Sequence, residues 1–153
     1  MSAHATPRGR VLIVDDEPEL LEGMKMLFEV KGMDVIFHSS MITLPLILRD
    51  ADPDVILLDV SLPALSGTSA LRSGLRRLLK TDGALVLFSG RSENELTVIA
   101  RDLGADGFIT KSDEPMEIVG RVQIWIERRR LKRASERNEG PNAANRTAIA
   151  AAR

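Results

Sequence analysis

Val55-Ile56-Leu57-Leu58 is an unbroken run of strand-favouring apolar residues that ends on one carboxylate, Asp59. An apolar run without alternation suits a strand covered by helices on both faces, which is the condition of a central strand in a parallel sheet. Val11-Leu12-Ile13-Val14 and Ala84-Leu85-Val86-Leu87-Phe88 have the same character, and they end on Asp15-Asp16 and on Ser89-Gly90. Three such runs restrict the chain to an α/β architecture. They also place polar side chains at the carboxyl ends of strands, where open α/β sheets bind their ligands.

The segments between these runs read as helices and short strands. Leu20, Leu21, Met24, Leu27 and Phe28 recur at helical spacing after Pro18, and Lys31-Gly32-Met33 ends that helix. Asp34 to Phe37 predicts a short second strand. Thr43 is the expected cap of a second helix with Pro45 in its first turn, and Leu71, Leu75, Leu78 and Leu79 mark a third after the Ser66-Gly67 loop. Ser92-Glu93-Asn94-Glu95 is a capping box for a fourth helix that stops at Gly104. Gly107 to Thr110 is a fifth strand delivering Lys111, and Pro115 opens a long fifth helix. Strands alternating with helices predict a doubly wound, five-stranded parallel sheet with helices on both faces.

The 153 residues, 44% of them hydrophobic, suffice for one core. Residues 1–8 read as a flexible amino terminus, 9–133 as the folded domain, and 134–153 as a disordered tail of low apolar content. The chain has no cysteine, so disulfides and thiolate metal sites are excluded, and a reducing, cytoplasmic setting fits. No apolar run reaches membrane-spanning length, and Met1 to Arg10 lacks a signal core. Residues 1–120 carry 12 basic and 19 acidic side chains, a net of −7, whereas residues 121–137 carry 7 and 2, a net of +5. The basic run on the last helix reads first as a solvated face, with nucleic-acid binding the lesser reading. Ile124 and Leu131 lie off the main apolar face of that helix and form a candidate partner surface, a homodimer included.

Collected at the carboxyl edge are Asp15 and Asp16, Asp59, Ser89 and Lys111. Three converging carboxylates repel one another, and a divalent cation is the natural compensation. All-oxygen ligation by few carboxylates suits Mg2+. A cation, an ammonium and a hydroxyl around a carboxylate describe a place where phosphoryl oxygens are neutralised.

These residues resemble the receiver domains of two-component response regulators. The likeness covers roughly residues 8 to 130: the pair Asp15-Asp16, the Leu57-Leu58-Asp59 strand end, Pro63 and Gly67, Ser89-Gly90, the turn Leu103-Gly104-Ala105-Asp106, and Lys111. Separations of 43 residues from Asp16 to Asp59, 30 to Ser89 and 22 to Lys111 also match. The resemblance implies the flavodoxin-like strand order 2-1-3-4-5, and Asp59 as the phosphoacceptor for a histidine kinase or phosphotransfer protein. Asp16, Asp59 and the Ser61 carbonyl would hold Mg2+, with Asp15 acting partly through water. Ser89 and Lys111 would bind the phosphoryl group, and Phe108 would turn inward to reshape the face of the fourth helix, fifth strand and fifth helix. Such a protein is no enzyme beyond its own phosphorylation and dephosphorylation. With no output motif after residue 134, the expectation is a single-domain regulator that signals to a downstream protein target.

Two residues depart from the family pattern. Ser112 stands where proline is usual; a cis bond without proline costs about 3 kcal/mol, so a trans peptide is expected. Phe108 stands where tyrosine is common, and a plain core aromatic remains the other reading of it. A pseudo-receiver scaffold or nucleic-acid adaptor working through the basic helix is the alternative function. A haloacid dehalogenase phosphatase would need an aspartate where Ser61 stands, and no glycine fingerprint for a dinucleotide follows the first strand.

Overall fold

In the computed structural model, residues 8–17, 19, 21–65 and 75–140 are described. The elements are β1 (Gly9–Val14), α1 (Glu22–Val30), β2 (Met33–His38), α2 (Leu44–Ala51), β3 (Val55–Leu58), a 3-10 turn at Pro63–Leu65, a helical stretch over residues 75–79 (α3), β4 (Ala84–Ser89), α4 (Glu93–Leu103), β5 (Gly107–Thr110) and α5 (Pro115–Asn138). The expectations on Pro18, Leu20, Ser66, Gly67 and Leu71, and on residues 1–7 and 141–153, lie outside the described residues.

All five strands are parallel, in the order β2-β1-β3-β4-β5. Alternation along each strand builds two cores, one on each face. Val11, Ile13, Val55, Leu57, Val86 and Phe88 point to α1 and α5, while Leu12, Val14, Ile56, Leu58, Leu85 and Leu87 point to α2, α3 and α4. Both sides of the three central strands are therefore buried, which is why these runs show no polar alternation.

Local chemistry sets the element ends. Ser92 caps α4 through the capping box with Glu95, and Gly104 closes it in the left-handed region at φ 69°. Thr43 sits at the cap position of α2 with Pro45 in the first turn, but its hydroxyl does not cap the helix. It bonds instead to His38 Nε2 at 2.9 Å, joining the end of β2 to the start of α2.

The last helix departs from expectation twice. It runs to Asn138, past the boundary placed at residue 134, because Ala134 to Arg137 are adequate helix formers that continue an established helix at no nucleation cost. Its basic run is also not uniformly solvated. Arg129 is buried, its side chain 4% exposed, and pairs with Asp52, Asp54 and Asp82 at 2.9, 2.9 and 2.6 Å. Arg133, one turn later, shares Asp52 and Asp82. The main apolar face of the helix is Ile118, Val119, Val122 and Ile126, all buried, with Trp125 packed at its edge. Ile124 and Leu131 are exposed.

Candidate functional site: an acidic pocket at the carboxyl edge

The sheet's hydrogen bonding carries the site residues into place. Asp15 N–H donates to His38 O at 3.0 Å, Asp59 N–H to Val14 O at 3.0 Å, and Lys111 N–H to Ser89 O at 2.9 Å. Each polar residue is thus held one step beyond its strand by the same ladder that holds the strand. Asp15, Asp16 and Asp59 each present a carboxylate oxygen, and these oxygens lie within 4.8 Å of one another. The side chains of Asp15 and Asp59 are 1% and 5% exposed, whereas Asp16 faces solvent.

Burial and hydrogen bonds fix the carboxylates. Asp15 Oδ1 accepts from Glu17 N–H and Asp59 Oδ1 from Ser61 N–H, both at 2.9 Å. Lys111 Nζ lies 2.7 Å from Asp15 Oδ2 and 3.5 Å from Asp59 Oδ2, with the Phe88 ring centroid 5.6 Å away. Burial pushes the Lys111 ammonium toward deprotonation, but Asp15 and Asp59 outweigh that effect and hold its pKa above the ordinary lysine value. Lys111 therefore stays charged. Ser89 is buried, and its hydroxyl accepts from Arg91 N–H at 3.3 Å. A cavity of about 460 Å³ opens beside Lys111 between α1 and α5, lined chiefly by apolar side chains.

With three carboxylates against one ammonium, the cluster is left with two uncompensated negative charges. Two buried carboxylates and one exposed one with oxygens this close, Asp15 and Asp59 each held by a single backbone donor among the described residues, form a donor set that fits a hard divalent cation.

A family model, the response regulator receiver domain, matches residues 11–123. The chain belongs to that family. It is 33% identical over 118 residues to the transcriptional regulatory protein KdpE of Mycobacterium tuberculosis, covering 77% of this chain and 51% of that protein. It is 30% identical over 125 residues to the DNA-binding response regulator MtrA of Mycolicibacterium smegmatis, covering 80% and 53%. The chain spans about half the length of these relatives. Among solved structures, the receiver domain of the response regulator TorR superposes with a TM-score of 0.66 at 31% identity, covering 78% of this chain and 98% of that one. The strand runs predicted a doubly wound parallel sheet, the family resemblance implied its order, and the 2-1-3-4-5 sheet agrees with both.

The structure brings Asp15, Asp16, Asp59 and Lys111 together, with Ser89 bonded through its carbonyl to the Lys111 backbone. Phe108 is half-buried against the cluster that includes Leu96, Ile99 and Leu103 of α4. The peptide between Lys111 and Ser112 is trans. Ile124 and Leu131 stand apart on α5, 51% and 72% exposed. The sequence reading missed Asp113, which follows Lys111 closely and bonds back to Thr110. Its only signal was a carboxylate in a turn between a strand and a helix.

No helix among the described residues is long and apolar enough to cross a membrane.

Proposed function

We propose that Asp59 accepts a phosphoryl group from a histidine kinase or phosphotransfer protein, in a Mg2+-dependent reaction, and that the altered domain signals through protein contacts of α4, β5 and α5. The observation that carries this reading is the fixed carboxylate of Asp59, oriented by Ser61 N–H and faced by Lys111 Nζ at 3.5 Å. One Asp59 oxygen attacks phosphorus, an O–P bond forms, and the donor's bond to phosphorus breaks, the electron pair leaving with the donor. Lys111 and the Ser89 hydroxyl bind phosphoryl oxygens, and Lys111 enters the reaction already charged.

Mg2+ held by Asp16, Asp59 and the Ser61 carbonyl, with Asp15 nearby, would neutralise charge developing on the phosphoryl oxygens. Asp15 is tied to Lys111, so its part is to hold that ammonium toward Asp59. Phe108, already half-buried, would complete its inward turn when the Ser89 hydroxyl moves to the phosphoryl group. Ile124 and Leu131 belong on this reading to a protein partner, a second copy of the chain included; sedimentation with and without phosphorylation tests the second copy. The reading also implies a cytoplasmic protein. Nucleic-acid binding through α5 is weakened, since Arg129 and Arg133 are engaged by aspartates of the same chain.

Incubation with acetyl phosphate and MgCl2, followed by intact mass measurement, tests the proposal. The expected result is a gain of one phosphoryl group in the wild type and none in Asp59→Asn. No gain, or a gain that survives the substitution, overturns it.

A further inference from the structure

The turn that presents Lys111 is stapled by side chains. Asp113 N–H donates to Thr110 O at 3.1 Å, so Lys111 and Ser112 are the two central residues of a closed turn. The buried Thr110 hydroxyl donates to Asp113 Oδ1 at 2.6 Å and itself accepts from Ser112 Oγ at 3.2 Å. A hydroxyl, a second hydroxyl and a carboxylate in series polarise one another, which strengthens each link. On its other side, Asp113 Oδ2 is paired with Arg121 Nη1 of α5 at 3.0 Å. That pair is held by charge, since Oδ2 takes part in no hydrogen bond among the described residues.

Two consequences bear on Lys111. Its ammonium sits at the end of a flexible four-carbon stem, so a small rotation at its Cα sweeps Nζ across the pocket. The staple removes that rotation, and Lys111 N–H to Ser89 O fixes the remaining side of the turn. The second consequence is electrostatic. A carboxylate two residues from Lys111 would compete with Asp59 and an incoming phosphoryl group for its charge, and Arg121 neutralises that competitor.

We propose that Thr110, Asp113 and Arg121 are positioning residues that aim Lys111 at the phosphoacceptor and reserve its charge for the phosphoryl group. The proposal rests on Asp59 being phosphorylated. Hydroxyl and carboxylate staples also serve plain loop stability, so the test must separate aim from stability.

The measurement is the rate constant for Mg2+-dependent phosphorylation by acetyl phosphate, together with the half-saturating donor concentration. Each of Thr110→Val, Asp113→Ala and Arg121→Gln is measured with Lys111 present and in a Lys111→Ala background. Valine keeps the shape and strand preference of threonine, and Arg121 is half-exposed, so two of the three variants leave the core intact even if Asp113→Ala folds poorly.

With Lys111 present, each variant slows the reaction about tenfold and raises the half-saturating concentration, a misplacement of ~1 Å being enough to cost up to ~10²-fold. Arg121→Lys restores most of the rate lost in Arg121→Gln. In the Lys111→Ala background the same substitutions cause no further loss, since their effect runs through the missing ammonium. Unchanged rates for Thr110→Val and Arg121→Gln overturn the proposal, as does an equal loss in both backgrounds. A wild type that takes no phosphoryl group is a different result, because it removes the phosphoacceptor reading itself.

Discussion

A cluster of three aspartates stands at each end of the sheet, and the cations that meet the two clusters differ in number and kind. At the amino edge, Asp52, Asp54 and Asp82 receive two arginines of α5, Arg129 and Arg133, in a network with at least one short hydrogen bond to every carboxylate. At the carboxyl edge, Asp15, Asp16 and Asp59 receive the one ammonium of Lys111, and Asp16 has no ion pair among the described residues. A planar guanidinium satisfies several carboxylates at once, while an ammonium is a point charge that leaves oxygens open. At the amino edge every carboxylate is paired and one formal charge is left over, whereas at the carboxyl edge Asp16 has no ion pair among the described residues and two are left over. The first arrangement fastens a helix, and the second is a donor set that fits a hard divalent cation.

The largest test of this contrast is removal of metal. Chelation should abolish labelling of Asp59 by acetyl phosphate, a loss of at least ~10²-fold as expected when charge neutralisation is withdrawn from phosphoryl transfer. The same chelator should leave the wild-type urea midpoint no lower than in metal-free buffer. Persistent labelling in excess chelator would show that Lys111 alone neutralises the pocket.

The amino edge should break in stability instead. Arg129→Met leaves Asp52, Asp54 and Asp82 without their buried partner and should cost about 3 kcal/mol, the low end for a broken buried pair, because Asp52 and Asp82 keep much of their hydration. Arg133→Ala, one-third exposed, should cost under about 1 kcal/mol. The two edges also respond to opposite ends of the pH scale. Burial pushes the Asp52 and Asp82 carboxyls up, but Arg129 and Arg133 outweigh it and hold both below the ordinary 3.8. A carboxyl lowered on folding contributes stability that is present above 3.8 and lost as pH falls through its folded-state value. Lys111 is raised above 10.5, so its contribution is present below 10.5 and fades as pH rises through its folded-state value. Urea midpoints from pH 7 to pH 3 should therefore fall less steeply in Arg129→Met than in the wild type. Parallel acid limbs would mean that the network carries no linkage.

The contrast also explains how far the sequence could be read. Each central strand announced itself as an apolar run, and its carboxyl end as a polar residue, so the parallel sheet and the gathering of Asp15, Asp16, Asp59 and Lys111 at one edge were legible from local order, while the strand order came from the family resemblance. Arg129 was not. It lies 77 residues from Asp52, and although helical spacing from Val122, Trp125 and Ile126 puts it on the buried face, nothing near it in the chain names the aspartates that receive it. Asp113 was hidden for a different reason: its partners Thr110 and Ser112 are close in sequence, but hydroxyls and carboxylates fill most turns, and only the closed geometry around Lys111 gives them a purpose. The end of α5 was misplaced because a polar composition that cannot start a helix can still extend one.

The smallest effect is also the sharpest, because it predicts opposite signs for the same chemical change. Asp16 is exposed, and its carboxylate oxygen lies within 4.8 Å of oxygens on Asp15 and Asp59. Without metal it contributes repulsion, so Asp16→Asn should raise stability by on the order of 1 kcal/mol, the Coulomb energy of two unit charges at such a distance in water. Asp82→Asn removes an equal charge from a carboxylate held by two arginines and should lower stability by a similar amount. Magnesium should reverse the order at the carboxyl edge: a cation that binds only the folded wild type would raise its urea midpoint by mass action, and Asp16→Asn should lose that response. Urea titrations of both variants, with and without MgCl2, decide the matter. If Asp16→Asn destabilises the metal-free protein as Asp82→Asn does, the carboxyl edge is a closed network like the amino edge, and the charge imbalance assigned to it does not exist.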